Sequence, residues 1–182
     1  MIDDVKRGPG RPPNIPQLKF WKTHPDIVLP KFQTGQAACF DLPVQTNGKL
    51  TYSGYNLDSK PFTREVHENG KIYLSHGDRV MAPTGLIMDI PEGYSVRVHP
   101  RSGTALKAGL VLANMEGIID SDYVDEVMVL LWNTTQNGIW IENGSRIAQA
   151  ELTKLEKYAI VQANEKPVKK TDRNGGMGST GS

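Results

Sequence analysis

Short apolar runs separated by turn signals organise this chain. Leu18 to Trp21, Ala37 to Leu42, Lys71 to Leu74, Val80 to Ile90, Tyr94 to Val98, Val127 to Trp132, Arg146 to Leu152 and Tyr158 to Val161 each predict a strand. Tyr94-Ser95-Val96-Arg97-Val98 alternates between apolar and polar, the period of a half-buried strand. Asn47-Gly48, Asn69-Gly70, Glu92-Gly93, Asn137-Gly138 and Asn143-Gly144 punctuate the runs as turns. Only Ser102 to Ala108, with Ala105, Leu106 and Ala108, favours a helical turn or two. About eight short strands joined this way predict a closed or double-sheet antiparallel all-β fold.

The ends and one internal stretch lie outside this pattern. Residues 1–17 carry four prolines and two glycines around Lys6-Arg7-Gly8-Pro9-Gly10-Arg11, which predicts a flexible basic arm. A Gly-Arg-Pro core can enter an A·T-rich minor groove, but one short copy gives little affinity, so DNA contact through the arm is set aside. Residues 44–70 are polar and rich in Gly and Asn, and read as a long hairpin insertion in a β domain spanning 18–161. Residues 162–182 cannot pack a core and predict a mobile Gly-rich tail. That tail contains Gly176-x-Gly178-x-x-Gly181, yet no strand precedes it and no helix can follow, so it is not a dinucleotide fingerprint.

Composition narrows the function classes. The 182 residues carry 21 Lys and Arg against 20 Asp and Glu, so no bulk field draws the chain to nucleic acid or an anionic membrane. The longest apolar run, Val127 to Trp132, is far short of the ~20 residues of a bilayer-spanning helix. Met1-Ile2-Asp3-Asp4 opens no secretory signal, and a cytoplasmic location is expected. With a single cysteine, Cys39, an intrachain disulfide and a Cys-based zinc cage are both excluded. Cys39 itself reads as a small buried hydrophobe. The Gly (18) and Pro (12) spread through the chain leave no room for long helices.

The candidate chemistry lies in carboxylates and anion-binding pieces. His24, His67, His76 and His99 have no ligand spacing, and neither a nucleophile elbow nor a Walker lysine is present. Pro100-Arg101-Ser102-Gly103, between a strand and the short helix, offers phosphate a guanidinium, a hydroxyl and helix-start N–H groups; Ser102 could equally be an N-cap. Asn114-Met115-Glu116-Gly117-Ile118-Ile119-Asp120-Ser121-Asp122-Tyr123 places two carboxylates and a tyrosine after an apolar pair, with Gly117 allowing close backbone approach; taken alone, it could be an acidic hairpin tip.

Taken in order, Ala38-Cys39-Phe40-Asp41-Leu42, Pro100 to Gly103, Gly117 to Tyr123, Gly144-Ser145-Arg146-Ile147-Ala148-Gln149 and Gly175 to Gly181 closely resemble the five motifs of the trimeric dUTP pyrophosphatases (dUTPases). The resemblance covers most of residues 18–182 and implies a distorted jelly-roll or β-barrel that assembles as a homotrimer with shared active sites. It implies cleavage of dUTP to dUMP and pyrophosphate by water attacking the α-phosphorus, with Mg²⁺ as cofactor. Asp120 matches the carboxylate that orients and deprotonates the water. Asp41 matches the acid that holds Mg²⁺ through bound water, and Arg101, Ser102, Gly103 and Gln149 match phosphate contacts. Arg146 is expected to brace the third-motif acid. Asn114, Gly117 and Ile119 belong to the hairpin matching the uracil reader, and Tyr123 matches the aromatic that packs under deoxyribose. In the tail, Arg173 matches an arginine finger, while Met177, Gly178 and Ser179 belong to a lid closing over a neighbouring site.

Several positions depart from the family pattern. The spacing from Arg173 to Gly175-Gly176 is one residue short, and Met177 stands where an aromatic is usual. Ser145 replaces an Asp, Cys39 replaces a Gly, and Val124-Asp125 replaces an Arg-Gly pair. Two other readings share the pattern: a non-catalytic protein-binding module, docking through the insertion or arm, and the related dCTP deaminases. Asn114, Tyr123 and the intact Gly-rich tail favour dUTP.

Overall fold

The computed structural model describes residues 15–172. Its strands are β1 (Lys19–Lys22), β2 (Phe40–Pro43), β3 (Thr51–Tyr55), β4 (Pro61–Glu65), β5 (Ile72–Leu74), β6 (Arg79–Asp89), β7 (Tyr94–Pro100), β8 (Leu110–Leu112), β9 (Gly117–Ile119), β10 (Glu126–Asn133), β11 (Ile139–Ile141) and β12 (Arg146–Lys154). The one α-helix among the described residues, α1, spans Ser102–Ala108, as its sequence predicts. Gly109 ends it in the left-handed region (φ 59°) and returns its N–H to the carbonyls of Ala105 and Thr104.

Every ladder is antiparallel. One sheet has six strands, ordered β4-β3-β6-β10-β8, with β1 also on β6; a second is ordered β2-β12-β7-β9; β5 and β11 form a small third. Alternation along the strands fills the space between sheets. Leu42, Leu74, Leu86, Val96, Leu112 and Leu131 are among the buried apolar side chains of one continuous core. This is the all-β, double-sheet architecture of jelly-roll type that the turn-punctuated pattern predicts. Among the described residues no helix is long and apolar enough to cross a membrane.

An irregularity in the central pair shapes the site. The β10–β6 register shifts between Glu126 and Met128, opposite Pro83 to Gly85. There the Thr84 hydroxyl donates to the Val127 carbonyl at 2.6 Å, and the Gly85 N–H donates to a Glu126 carboxylate oxygen at 2.8 Å. Gly85 has φ +68°, and a Cβ on it would stand 2.3 Å from Ile27 Cδ1, so only glycine fits. The buried Gln45 side chain ties the Val28 backbone to the Thr84 carbonyl beside this kink.

Between residues 44 and 70 the chain forms the β3–β4 hairpin, with Thr51 opposite Glu65 and Tyr55 opposite Pro61. Arg64 on β4 donates to the buried Asp78 at 2.5 Å, and Asp78 also accepts the Ser75 N–H at 2.8 Å. Burial works against the Arg64 charge, but the hydrogen bond and charge of Asp78 more than offset it and hold the guanidinium pKa above its ordinary value.

The predicted strand at Tyr158 to Val161 does not form. β12 ends at Lys154, Leu155 donates its N–H to the Gly93 carbonyl, and the chain then leaves the sheet. Tyr158, Ile160 and Val161 are 83%, 91% and 80% exposed, with no strand alongside them among the described residues. Conversely, β8, β9 and β11 are three-residue strands too short for their pattern to announce.

Candidate active site

Two clefts hold the chemistry-bearing residues, one at each end of the β2-β12-β7-β9 sheet. The first lies against the β8–β9 connection, which crosses from the six-stranded to the four-stranded sheet instead of forming the expected hairpin. It encloses about 350 Å³ and is lined by Asn114, Gly117, Ile119, Asp120 and Tyr123 over a floor that includes Val98, Leu112 and Val129. Such a volume lies within the range of small-molecule sites. Gly117 pairs with Val98, and a Cβ on it would stand 3.2 Å from the Val98 Cβ and 3.5 Å from the Asn114 amide nitrogen. Glycine therefore lets this segment lie close on β7, where a Cβ would press on Val98 and only touch the Asn114 amide. That amide has no hydrogen-bond partner among the described residues, so both its donor and acceptor groups can address a ligand.

Asp120 follows β9 directly and accepts the Tyr123 N–H on its backbone carbonyl at 3.2 Å. Its carboxylate is exposed, with no hydrogen bond or ion pair among the described residues, and its lone pairs can accept from a water. Tyr123 donates its hydroxyl to the Glu126 carbonyl at 3.1 Å. Glu126 is itself fixed, since its carboxylate takes the Gly85 N–H and Lys49 Nζ, the latter at 2.5 Å. The tyrosine ring is thus anchored at its far end to the kinked junction of β6 and β10.

The second cleft is lined by Asp41, Arg101, Ser102, Gly103, Arg146 and Gln149, with Gln33, Thr34, Ala37 and Cys39 from the β1–β2 connection. Strand register assembles it. Asp41 on β2 faces Gln149 on β12, and Gln149 faces His99 on β7, one residue before the Pro100 that leads into Arg101. Asp41 is a two-sided clamp: one oxygen accepts Arg101 Nε at 2.8 Å and the other accepts an Arg146 Nη at 3.0 Å. A second Arg101 nitrogen donates to the Arg146 carbonyl at 3.0 Å. Gln149 donates to the Pro100 carbonyl at 3.1 Å, which leaves its carbonyl oxygen unused. Arg101, not Ser102, is the N-cap of α1, and no side chain caps the helix, so the Ser102 hydroxyl is not consumed there.

The motif pattern assigns Arg146 to brace the third-motif acid; within a single chain Arg146 donates to Asp41, because β12 pairs with β2. Cys39, which reads as buried from the sequence, is half-buried at the rim of this cleft. Burial first, then the charges of Glu151 and Asp41, push its thiol pKa upward. Arg173, Met177, Gly178 and Ser179 lie outside the described residues.

The donor set bears on any metal. Among the described residues no group of three or more His, Cys, Asp or Glu could hold an ion. Each Asp41 oxygen is already engaged by a guanidinium and keeps a free lone pair, so the chain cannot cage a bare cation here. It can accept a hydrogen bond from a water of a hydrated cation carried mainly by phosphate oxygens, the mode that suits Mg²⁺.

Sequence reasoning missed three fixed groups: Lys49 with Glu126, the Gln33 to Ala37 wall of the second cleft, and Arg97 and His99 facing Glu116. None carries a local sequence signal, because register rather than spacing brings each together.

Comparison with known proteins places the chain in a family. The dUTPase family profile matches residues 65–181. The deoxyuridine 5'-triphosphate nucleotidohydrolase of Caulobacter vibrioides is 36% identical over 166 residues, covering 91% of this chain and 93% of that protein. In fold, the chain resembles a point mutant of the Staphylococcus bacteriophage 80alpha dUTPase solved with dUpNHpp, at TM-score 0.69 and 18% identity over 91% of this chain and 99% of that one. It also resembles a point mutant of the dUTPase from phage phi11 of S. aureus, described with a structural Mg(II) ion, at TM-score 0.63 and 16% identity over 82% and 97% of the two chains. A profile match over more than half the chain, and a relative this similar along nearly its whole length, mean that the chain belongs to the dUTPase family.

Proposed function

We propose that this chain hydrolyses dUTP to dUMP and pyrophosphate as a homotrimer, each active site joining the first cleft of one protomer to the second cleft of another. The supporting observation is that one chain carries two complementary halves. One has a β8–β9 connection with the open Asn114 amide, an exposed carboxylate and an anchored tyrosine; the other has a clamped pair of guanidiniums. Neither half alone can hold a nucleoside and a triphosphate.

Asn114 and the backbone around Gly117 and Ile119 bind the uracil edge. A rigid reader of this kind rejects cytosine because mismatched donors and acceptors are costly to bury. Tyr123 packs against deoxyribose, where a 2′-hydroxyl would meet the ring. Arg101, Ser102, Gly103 and Gln149 hold phosphate oxygens, and Asp41 with Arg146 fixes the aim of Arg101. Asp120 accepts a proton from the attacking water as its oxygen bonds to the α-phosphorus. The bond from that phosphorus to the α–β bridging oxygen breaks, and pyrophosphate leaves with the electron pair. Such a base is typically worth about 10²–10⁴-fold.

Mg²⁺, when bound, neutralises triphosphate charge, and Asp41 would hold it through water. The tail closes as a lid, with Arg173 on the phosphates and Met177, Gly178 and Ser179 over the nucleoside. In this reading residues 1–17 are an arm, 18–161 the catalytic body and 162–182 the lid. Its cellular consequence would be less uracil in DNA and a supply of dUMP for thymidylate synthesis, in the cytoplasm.

The test is pyrophosphate release from dUTP, dCTP, dTTP and UTP in Mg²⁺. Turnover confined largely to dUTP is expected. No release from dUTP, or faster turnover of dCTP, overturns the reading.

A further inference from the structure

In the connection from β8 to β9, Met115 adopts φ +62°, a conformation side-chain-bearing residues rarely take. The Glu116 N–H donates to the Asn114 carbonyl at 2.6 Å, which closes a turn of only three residues. The Met115 N–H also donates to the Leu112 carbonyl at 3.1 Å, but no glycine relieves the positive φ, so contacts from outside the turn must help to hold it.

The imposing contact comes from β7. Arg97 donates to a Glu116 carboxylate oxygen at 3.0 Å, and His99 Nδ1 lies 3.7 Å from the other oxygen. The Nε2 of His99 reaches Glu151 on β12 at 3.3 Å. Arg97 is itself fixed by its place in the sheet, paired with Ile118 on one side and Glu151 on the other. Glu116 therefore ties the strained turn to the central strand, immediately between Asn114 and Gly117.

We infer that Glu116 and Arg97 are positioning residues for base recognition: their ion pair holds the Met115 turn in the one shape that presents Asn114 and Gly117 to the base. This rests on the reading of the β8–β9 connection as the uracil reader. The pair is more than one-third exposed on both sides, so its contribution to global stability is small. Its effect falls on where the Asn114 amide stands.

The experiment compares Glu116→Gln, Arg97→Gln, Arg97→Lys and the charge swap Arg97→Glu/Glu116→Arg with the unsubstituted protein. Steady-state kinetics on dUTP and dCTP are measured beside thermal melting. In Glu116→Gln and Arg97→Gln, KM for dUTP should rise more than kcat falls, and the kcat/KM preference for dUTP over dCTP should drop about tenfold, with little change in Tm. Arg97→Lys and the swap should keep or regain most of the preference. An unchanged preference in the single variants overturns the inference while leaving the dUTPase reading intact. So does an equal loss on both substrates that tracks a fall in Tm. Failure of the unsubstituted protein to prefer dUTP defeats both together.

Discussion

Tyr123 gives its hydroxyl to the main-chain carbonyl of Glu126 at 3.1 Å, and Glu126 is in turn held by Lys49 and the Gly85 N–H. The ring is fixed from behind, with the polar handle turned toward protein and the body lining the first cleft. A wall anchored in this way can exclude a substituent as small as a hydroxyl.

Removing that wall should cost selectivity before it costs fold. Tyr123→Ala is expected to narrow the kcat/KM preference for dUTP over UTP by about tenfold or more, within the range over which contacts discriminate a single group. Parallel kinetics on both nucleotides check this; a constant ratio contradicts the sugar-packing role.

The Asp120 carboxylate has no partner among the described residues, so replacing it should disturb little besides chemistry. Asp120→Asn is expected to lower kcat by about 10²-fold or more while a non-hydrolysable dUTP analogue still binds. Stopped-flow or quench-flow turnover beside calorimetric binding separates the two effects. Near-normal kcat in this variant would remove Asp120 from the mechanism.

The Cys39 thiol is a local gauge of the second cleft. Burial, Glu151 and Asp41 all raise its pKa, so at a given pH less thiolate is present than for a free cysteine. The alkylation rate by iodoacetamide should therefore reach half its limit above the ordinary thiol pKa of about 8.5. Asp41→Asn removes one of the raising charges and should shift that midpoint downward. A midpoint at or below the free-thiol value would contradict this electrostatic picture.

The Arg64–Asp78 ion pair ties the β3–β4 hairpin to the buried Asp78. Arg64→Ala would leave Asp78 nearly fully buried with its charge uncompensated, and breaking a buried pair on one side costs about 3–5 kcal/mol. Because Arg64 is itself partly exposed, a loss toward the lower figure is expected from urea unfolding. A loss below about 1 kcal/mol would place the pair among ordinary surface contacts.

These residues also mark how far the sequence could be read. β6, β7, β10 and β12 are long enough for their apolar runs to be seen, and α1 is bracketed by Pro100 and Gly109. Tyr158 to Val161 is just as apolar, yet a run becomes a strand only where a neighbouring ladder accepts it. Candidate site residues could be named because five motifs resemble one family in order, and those within residues 15–172 gather around two clefts. Their partners could not: Lys49 and Glu126 are 77 residues apart, and Arg146 and Asp41 are 105 apart. Such pairings follow from register, and a single substitution on either strand leaves no periodic trace.

The clamp at Asp41 has one more consequence. Two guanidiniums sharing a single carboxylate leave one net positive charge where the pair alone would have two. The cleft therefore gives up part of its long-range pull on anions in exchange for aim. On the proposed reading, inorganic anions that compete by charge alone are weaker rivals for this cleft than they would be for two unclamped guanidiniums.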